Sequence, residues 1–474
     1  MTTVEAVATR IVIIGGGPAG YEAALVAAAH PAEVTVIDSD GIGGACVLFD
    51  CVPSKTFIAS TGVRTDLRRA PQLGYDIDIE DAKISLPQIH DRVKTLAAAQ
   101  SADIAERLRS QGVRLISGRG ELADPVPGMA QHRVEVTEPD GTEQILDADV
   151  VLIATGASPR ELPDARPDGQ RILNWRQLYD LTDLPDHLVV VGSGVTGAEF
   201  VNAYTELGVP VTVVASRDQI LPHEDSDAAA VLEEVFAERG VTLVKKARAQ
   251  SVTRGDDGVV VTMTDGRCVE GSHALITVGS VPNTSGLGLE RVGIELGKGD
   301  YIPVDRVSRT SVPTIYAAGD CTGLLPLASV AAMQGRIAMY HALGEGVTPI
   351  RLRTVAAAVF TRPEIAAVGV PQARIDDGTV PARTLNLPLN TNARAKMSGL
   401  RKGFVKIFCR PATGVVIGGV VVAPVASELI LPIALAVSNQ ASVADLAQTL
   451  SVYPSLTGSI TEAARRLMAH DDLD

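Results

Sequence analysis

Two stretches of the chain repeat one pattern of apolar runs and glycines. In each, a short apolar run is followed by glycines at the spacing G-x-G-x-x-G, an alanine-containing segment and a second, β-branched run. The apolar runs cover residues 10–14 and 34–37 in the first stretch, and residues 188–191 and 211–214 in the second. The glycines are Gly15, Gly17 and Gly20, and Gly192, Gly194 and Gly197. Both stretches therefore predict strand, turn, helix and strand.

One such glycine turn is weak evidence for a ligand site, because any tight strand-to-helix turn favours glycine. Two copies, each between a predicted strand and a predicted helix, favour two phosphate-binding turns. Glycines let the backbone approach a pyrophosphate, which then lies at the positive end of the helix. The sequence thus predicts two dinucleotide-binding units.

The two units differ where their second predicted strand ends. In the first unit that residue is Asp38, and a carboxylate there can accept hydrogen bonds from an adenosine ribose. In the second unit the strand is followed by Ala215, Ser216 and Arg217, so a cation is close and no carboxylate stands at the strand end. This favours a ribose with a 2′-phosphate, hence NADPH over NADH. The alternative is that Arg217 is an ordinary solvated surface residue.

From about residue 351 the pattern changes to short β-branched runs followed by helical segments. Residues 403–408 and 415–422 predict strands, and residues 427–437, 443–450 and 459–468 predict helices. Strands followed by helices are typical of α+β units. We therefore expect this last part to form a separate α+β unit.

Composition narrows the possible function classes. The chain has 474 residues, of which 46% are hydrophobic and 21% charged, which is typical of a folded globular protein with several domains. A formal net charge of −14 and only 3% aromatic residues disfavour nucleic-acid binding, which needs a basic surface and stacking side chains. No apolar run reaches the length of a membrane span and no secretory signal is visible. We expect a cytoplasmic protein without a membrane span.

Two of the five cysteines, Cys46 and Cys51, lie close together shortly after the first glycine turn. In the cytosol such a pair is more often catalytic, redox-active or metal-binding than structural. The other three, Cys268, Cys321 and Cys409, are scattered singly, so no zinc site is expected. The sequence predicts a redox-active thiol pair held near a nucleotide, and no metal.

Six motifs resemble those of the flavoprotein disulfide reductases, the family of lipoamide dehydrogenase, glutathione reductase and mercuric reductase. The motifs are the Gly15–Gly20 turn with Asp38, Ala154-Thr155-Gly156, Gly192–Glu199, Gly279-Ser280-Val281-Pro282-Asn283, Tyr316-Ala317-Ala318-Gly319-Asp320 and Phe360-Thr361-Arg362-Pro363-Glu364. Their order matches that of the family, and the resemblance covers essentially the whole chain.

The resemblance implies an α/β fold with two Rossmann-like dinucleotide-binding domains, one for FAD and one for NAD(P), and a C-terminal α+β dimerisation domain. The FAD domain is expected at residues 1–155 and 279–348, the NAD(P) domain at 156–278 and the dimer interface at 349–474. The resemblance therefore also implies a homodimer.

The resemblance and the strand-end argument together assign the cofactor residues. The FAD residues are Gly15, Gly17, Pro18, Ala19, Gly20, Asp38, Gly44, Lys55, Gly120, Thr155, Gly156, Asp320 and Ala328. The NAD(P)H residues are Gly192, Gly194, Val195, Thr196, Gly197, Glu199, Ser216, Arg217 and Gly279. By resemblance, Lys55 and Glu199 pair beside the flavin ring, where an ammonium and a carboxylate shape the nicotinamide site.

The resemblance makes Cys46 and Cys51 the redox disulfide, with Cys51 against the flavin and Cys46 facing the substrate. Five residues of ideal helix rise about 7.5 Å, which exceeds the usual disulfide Cα separation of about 4.4–6.8 Å. We therefore predict that the helix is distorted, or only begins, between the two cysteines. Pro53 is consistent with an irregular first turn.

The chain departs from the family at the acid–base site. Thiol chemistry near neutral pH needs a proton acceptor, which the family takes from a C-terminal H-P-T-x-S-E-like segment of the partner subunit. Here Tyr453 replaces the histidine and Gly458 replaces the glutamate that orients it. Tyrosine, with an ordinary pKa of about 10, is a poor base at neutral pH. None of the eight histidines lies between His341 and His470.

The pair Tyr453-Pro454 resembles two branches of the family, the soluble pyridine-nucleotide transhydrogenases and the NAD(P)H quinone reductases of the LpdA type. The run from Cys51 to Ser60 and the segment from Glu462 to Met468 are more similar to the second branch. That branch can lack one of the two cysteines that this chain retains.

We predict an FAD-dependent NAD(P)H:quinone oxidoreductase, diaphorase-like, with a quinone as acceptor and weak or absent disulfide reductase activity. Its predicted catalytic residues are Cys46, Cys51, Lys55, Glu199 and Tyr453. The alternatives are a dihydrolipoamide dehydrogenase-like dithiol oxidoreductase, a transhydrogenase, and a non-enzymatic flavin redox sensor.

Overall fold

The computed structural model describes residues 8–76, 78, 82–128 and 131–468. They divide into two compact units, each assembled from separated parts of the chain. The first unit holds the described residues of Met1–Thr56, Gln88–Arg160 and Gly279–Ile350. The second holds those of Phe57–Pro87, Glu161–Val278 and Arg351–Asp474.

A five-stranded parallel sheet forms the core of the first unit. In spatial order its strands are β3 (Arg114–Ser117), β2 (Ala32–Asp38), β1 (Thr9–Ile14), β7 (Val150–Ile153) and β18 (Ile315–Ala317). Helices α1 (Pro18–Ala28) and α7 (Ala328–Ala342) pack on one face, where they share an apolar cluster with β1 and β7. Both faces are covered, which explains why β7 is buried along its whole length.

An antiparallel sheet covers the other face of this parallel sheet. Its strands are β4 (Arg119–Leu122), β5 (His132–Thr137) and β6 (Glu143–Ala148). The remaining elements of the unit are the ribbon of β8 (Ala157–Pro159) and β17 (Ser280–Pro282), α2 (Gly44–Leu48) and most of α4 (Leu86–Ser110). Helix α3 (Cys51–Arg69) begins in the first unit and ends in the second.

The second unit contains another five-stranded parallel sheet. In spatial order its strands are β12 (Thr242–Val244), β11 (Val211–Val214), β10 (Leu188–Val191), β16 (His273–Ile276) and β9 (Ile172–Asn174). Helix α5 (Val195–Glu206) follows β10, and α6 (Ser226–Glu238) follows β11. The unit also contains a small antiparallel sheet, whose strands are β13 (Ala249–Arg254), β14 (Val259–Met263) and β15 (Cys268–Gly271).

The C-terminal part of the second unit is an antiparallel sheet that packs against helices. The strand order is β19 (Ala356–Val359), β20 (Glu364–Gly369), β23 (Val416–Ala423), β22 (Phe404–Cys409) and β21 (Arg383–Pro388). The helices are α8 (Ala373–Asp376), α9 (Ala393–Met397), α10 (Ala426–Leu429), α11 (Leu431–Asn439), α12 (Val443–Gln448) and α13 (Gly458–Leu467). Apolar residues of α11 and α13 pack on β22 and β23 in one core cluster, and both strands are buried throughout.

The structure confirms both strand, turn, helix and strand units and the strands predicted after residue 351. The prediction of a single helix over residues 427–437 is wrong, because the segment forms two helices, α10 and α11. Pro432 lies in the first turn of α11, where its missing N–H is tolerated, whereas in the interior of one longer helix it would remove a hydrogen bond. Among the described helices, none is both long and apolar enough to cross a membrane.

Candidate active site

The first glycine turn joins β1 to α1 at the carboxyl edge of the parallel sheet. Gly15 has a φ of 112°, and a β-carbon on it would overlap the carbonyl of Ala154. Helix α1 begins after Gly17 with Pro18 in its first turn, and no described side chain caps it. Its first N–H groups are therefore available to a phosphate.

Asp38 ends β2 beside this turn. Its Oδ2 accepts a hydrogen bond from the N–H of Gly16 at 2.5 Å, and its Oδ1 accepts from Asp40 and Gly41 at 2.8 and 2.7 Å. Burial raises the pKa of Asp38, and these N–H groups act against that rise. A carboxylate offers about four acceptor positions, so Asp38 retains capacity for ribose hydroxyls while it also shapes the turn.

The turn after β7 is held by a residue to which the sequence alone gave no role. The Oγ1 of Thr155 donates to the carbonyl of Asn283 at 2.7 Å, and Asn283 Nδ2 donates to the carbonyl of Thr155 at 2.9 Å. The N–H of Asn283 also donates to the carbonyl of Gly156 at 3.0 Å. The G-x-x-P-N motif therefore stabilises the A-T-G turn, and the amide at its last position was the signal for such a role.

Asp320 follows β18 at the same edge of the sheet. Burial raises its pKa to about 6, and the charge of Asp50 adds to that rise. The preceding residue, Gly319, donates its N–H at 2.9 Å to Oε1 of Gln334, a fully buried residue of α7. Helix α7 begins at Ala328. Gln334 thus positions the loop that carries Asp320, a role that helical periodicity alone did not reveal.

Gly44 and Gly120 complete the FAD residues of the first unit. Gly44 has a φ of 57° and its backbone lies against Gly17. A β-carbon on Gly120 would approach Ile14 and Ile37 within 3.3 Å, so this glycine permits close packing of β4 on the parallel sheet. The first unit therefore assembles the predicted FAD residues, with glycines and helix N–H groups that fit a pyrophosphate and a carboxylate that fits a ribose.

The two cysteines lie on either side of a break between helices. Helix α2 ends at Leu48 and α3 begins at Cys51, which confirms the predicted interruption. Both are free thiols in the structure, rather than a disulfide. A hydrogen bond between them lowers the pKa of Cys46 and raises that of Cys51.

Lys55 lies one turn into α3, where its Nζ donates to Oγ of Ser54 at 3.2 Å. Its charge acts to lower the pKa of both cysteines. Lys55 belongs to the first unit and Glu199 to the second. Their pairing beside a flavin stays a prediction.

The second glycine turn joins β10 to α5. Gly192 has a φ of 113°, and a β-carbon on it would overlap Thr277. Helix α5 begins at Val195, which follows Gly194 and precedes Thr196, and no described side chain caps it. Glu199, in the second turn of α5, is 3% exposed, and its Oε1 accepts the N–H of Phe360 at 3.0 Å.

Beyond β11, Ser216 and Arg217 are exposed. Lys246, which follows the neighbouring strand β12, donates its N–H to the carbonyl of Arg217 at 3.1 Å and places Nζ 3.0 Å from Asp218. Lys246 was not among the residues predicted from the sequence, although adjacent parallel strands end at the same edge of a sheet. The second unit thus brings two cations to this edge. Gly279 belongs to the first unit, and its φ is 94°.

The C-terminal segment offers no substitute for the missing acid–base pair within the described residues. Tyr453 is 85% exposed, and Gly458 is the first residue of α13. The carboxylate of Glu462 accepts from Nε of both Arg465 and Arg466 at 2.7 Å, and these bonds lower its pKa to about 2. His470 lies outside the described residues. Within those residues, no group of three or more His, Cys, Asp and Glu side chains could hold a metal ion.

Family models and known proteins match this chain over nearly its whole length. The family model described as pyridine nucleotide-disulphide oxidoreductase matches residues 9–335, and the model of its dimerisation domain matches residues 355–464. A protein of Mycobacterium tuberculosis named NAD(P)H dehydrogenase (quinone) is 78% identical over 469 residues, which are 98% of this chain and 95% of that protein. The dihydrolipoyl dehydrogenase of Zymomonas mobilis is 31% identical over 458 residues, 96% of each chain.

Solved structures agree with these matches. The crystal structure of LpdA from Mycobacterium tuberculosis aligns with a TM-score of 0.93 and 77% identity, covering 97% of this chain and 100% of that chain. The flavoprotein disulfide reductase RclA from Escherichia coli aligns with a TM-score of 0.84 at 22% identity, over 97% and 100%, which shows a shared fold. The predicted α/β fold with dinucleotide-binding and C-terminal dimerisation domains is confirmed. The chain belongs to the pyridine nucleotide-disulphide oxidoreductase family and is an oxidoreductase that uses FAD and NAD(P)H.

Proposed function

We propose that the enzyme is an FAD-dependent NAD(P)H:quinone oxidoreductase that catalyses NAD(P)H + H⁺ + quinone → NAD(P)⁺ + hydroquinone. The observation that carries the proposal is the exposed Tyr453 and the Gly458 at the positions of the family's acid–base pair. Without that pair the thiols lack a base near neutral pH. The name of the 78% identical relative, NAD(P)H dehydrogenase (quinone), supports the same reaction.

When bound, FAD supplies the chemistry of accepting a hydride and delivering two electrons. In this proposal the first glycine turn and α1 hold its pyrophosphate, Asp38 its ribose, and Asp320 its ribityl chain. The turn before α5 holds the nicotinamide nucleotide, and Glu199 together with Lys55 orients the nicotinamide. Tyr453 lies on the acceptor side of the partner subunit's site in a homodimer.

We further propose that NADPH is preferred over NADH. The exposed Arg217 after β11 supplies positive charge where a 2′-phosphate would lie, and Lys246 after β12, which pairs with Asp218, is a second cation at this edge. A cytoplasmic location remains a prediction from the sequence.

A steady-state comparison of acceptors tests the reaction. Purified enzyme is supplied with NADPH and either 1,4-naphthoquinone, lipoamide or glutathione disulfide. General acid–base catalysis contributes roughly 10²–10⁴-fold to the step it serves. We therefore expect both disulfides to be reduced more slowly than the quinone, by a factor of about 10² or more. Faster reduction of either disulfide would overturn the proposal.

Dithiol oxidoreduction is a second candidate, because both cysteines are present as hydrogen-bonded thiols. The same acceptor panel distinguishes it, since it predicts lipoamide as the better substrate. Transhydrogenation would appear as hydride exchange with thio-NAD. Bound FAD that neither NADPH nor NADH bleaches would indicate the non-enzymatic sensor.

A further inference from the structure

Asp50 occupies the break between α2 and α3, directly before Cys51. Its carbonyl accepts the N–H of Ser54 at 2.7 Å, the first hydrogen bond of α3, so Asp50 is the N-cap residue of that helix. Its own N–H donates to the carbonyl of Ala45 at 2.7 Å. The backbone of Asp50 is therefore bonded to both helices, and Asp50 directly precedes the first turn of α3.

The charged and titratable groups around the two thiols come from four elements. They are Asp50 in the break, Lys55 of α3, Asp320 after β18 and Tyr21 of α1. The charge of Asp50 acts to raise the pKa of both cysteines and of Asp320, whereas Lys55 acts to lower that of the cysteines. Burial raises the pKa of Tyr21, and the charge of Cys46 adds to that rise.

The negative charge of Asp50 at the start of α3 opposes the stabilisation that a helix N-terminus usually gives a thiolate. The N-terminus of a helix carries partial positive charge that stabilises a thiolate in its first turn. A carboxylate on the N-cap residue lowers this positive potential, because its negative charge lies at the same end of the helix. The charge of Asp50 therefore opposes two features of α3 that favour thiolate formation, its N-terminus and Lys55.

We propose that Asp50 is a tuning residue that lowers the thiolate fraction of the Cys46–Cys51 pair near neutral pH and so makes both thiols weaker nucleophiles. This part of the proposal concerns only the thiols and stands whether or not the acceptor is a quinone. Its consequence, that reducing equivalents leave by a route other than the thiols, rests on the proposed quinone reductase function.

Thiol alkylation measured on the FAD-loaded enzyme tests this role. The enzyme is reduced with a phosphine, the reductant is removed, and iodoacetamide labelling of Cys46 and Cys51 is followed by mass spectrometry from pH 6 to 10. Asp50→Asn and Asp50→Ser are both neutral and both good N-cap residues, so either variant can serve. A change of one pKa unit alters the thiolate fraction about tenfold, and we expect labelling at pH 7 to be about tenfold faster in both variants.

Two controls isolate the charge of Asp50. Asp50→Glu keeps the carboxylate and should label as slowly as the unmodified enzyme, whereas Asp103→Asn removes an exposed acid of α4 and should change nothing. Labelling within twofold of the unmodified enzyme in both neutral variants would overturn the proposal, as would equal acceleration in Asp50→Glu or Asp103→Asn. Naphthoquinone turnover is measured on the same samples, so a wrong assignment of Asp50 is distinguishable from a wrong reaction.

Discussion

At the ends of β2 and β11 the two dinucleotide-binding units carry opposite charges. Asp38 places a carboxylate beside the first glycine turn, while Arg217 and Lys246 place cations beyond the second sheet. The first arrangement suits ribose hydroxyls, and the second suits a ribose phosphate. We therefore expect the choice of nicotinamide nucleotide to depend on one or two side chains.

Replacing Arg217 by Ala should reduce the preference for NADPH. A hydrogen bond to a charged group contributes about 1.5–3 kcal/mol, so we expect kcat/KM for NADPH to fall about 10–100-fold while that for NADH changes less than threefold. Steady-state kinetics with naphthoquinone as acceptor measures both values. Arg306→Ala, an exposed cation of the first unit, is the control. Equal losses with the two nucleotides would contradict a role in phosphate binding.

Quinone reduction should not require the thiols, whereas it should require the glycine turns that hold the nucleotides. We expect Cys51→Ser to keep naphthoquinone turnover within about tenfold while altering the absorption spectrum of bound FAD, because the thiol is off the hydride path. The comparison includes Cys46→Ser and the exposed Cys268→Ser. A collapse of quinone turnover in Cys51→Ser alone would show that electrons pass through the thiol pair.

At the scale of elements, helix α5 carries a row of buried polar side chains that organises the second unit. Glu199, Asn202 and Glu206 are spaced along one face, and the Oδ1 of Asn202 accepts the N–H of Arg362 at 3.0 Å. Glu206 is fully buried, and it accepts from Oγ1 of Thr61 in α3 at 2.9 Å. These bonds connect α5 to α3 and to the turn between β19 and β20.

Removal of Glu206 should destabilise this assembly strongly. Arg239 and Arg362 each lie 3.7 Å from its carboxylate. Breaking a buried ion pair typically costs about 3–5 kcal/mol, so Glu206→Ala should lower the free energy of unfolding by about that amount. Thr61→Val removes one hydrogen bond to this carboxylate and should cost about 1.5–3 kcal/mol. Urea denaturation measures both, with the exposed Glu270→Ala as a control that should change stability little.

The pH dependence of the same series has a definite sign. Burial raises the pKa of Glu206 in the folded state above its ordinary value of 4.5. At a pH between 4.5 and the raised pKa of Glu206, the folded protein binds more protons than the unfolded chain. The stability that this group contributes is therefore fully present below pH 4.5 and is lost as the pH rises through the raised pKa. The stability of the wild type relative to Glu206→Gln should therefore decrease with rising pH in that interval. A relative stability that increases would contradict burial as the dominant effect.

At the scale of the whole molecule, the matched dimerisation domain exposes a set of apolar side chains. They are Leu431, Leu435, Leu450, Val452 and Tyr453. Leu450 is 99% exposed and Tyr453 85%. An exposed apolar group of this kind indicates a protein interface, and the match of residues 355–464 to the family's dimerisation domain indicates a second copy of the chain.

Leu435→Asp should weaken the homodimer, because it places a charge in the apolar interface at the cost of an unpaired buried carboxylate. Sedimentation velocity should show a monomer fraction that grows on dilution, and naphthoquinone turnover should fall in parallel if Tyr453 serves the partner subunit's site. Leu296→Asp, at an exposed position of the first unit, is the control. A monomeric unmodified enzyme, or an undisturbed dimer in Leu435→Asp, would contradict this interface.

The sequence by itself determined the parts of this protein that depend on neighbouring residues. Apolar runs and glycine spacing predicted one strand, turn, helix and strand unit in each parallel sheet, because periodicity and tolerance of positive φ are local properties. The break between Cys46 and Cys51 followed from comparing helix rise with the Cα separation of the disulfide that the family resemblance implies. Only the tertiary structure decided which distant groups meet, as Asn283 meets Thr155 across 128 positions and Thr61 meets Glu206 across 145. Such contacts depend on how whole elements pack, and no pattern within a few residues encodes that packing.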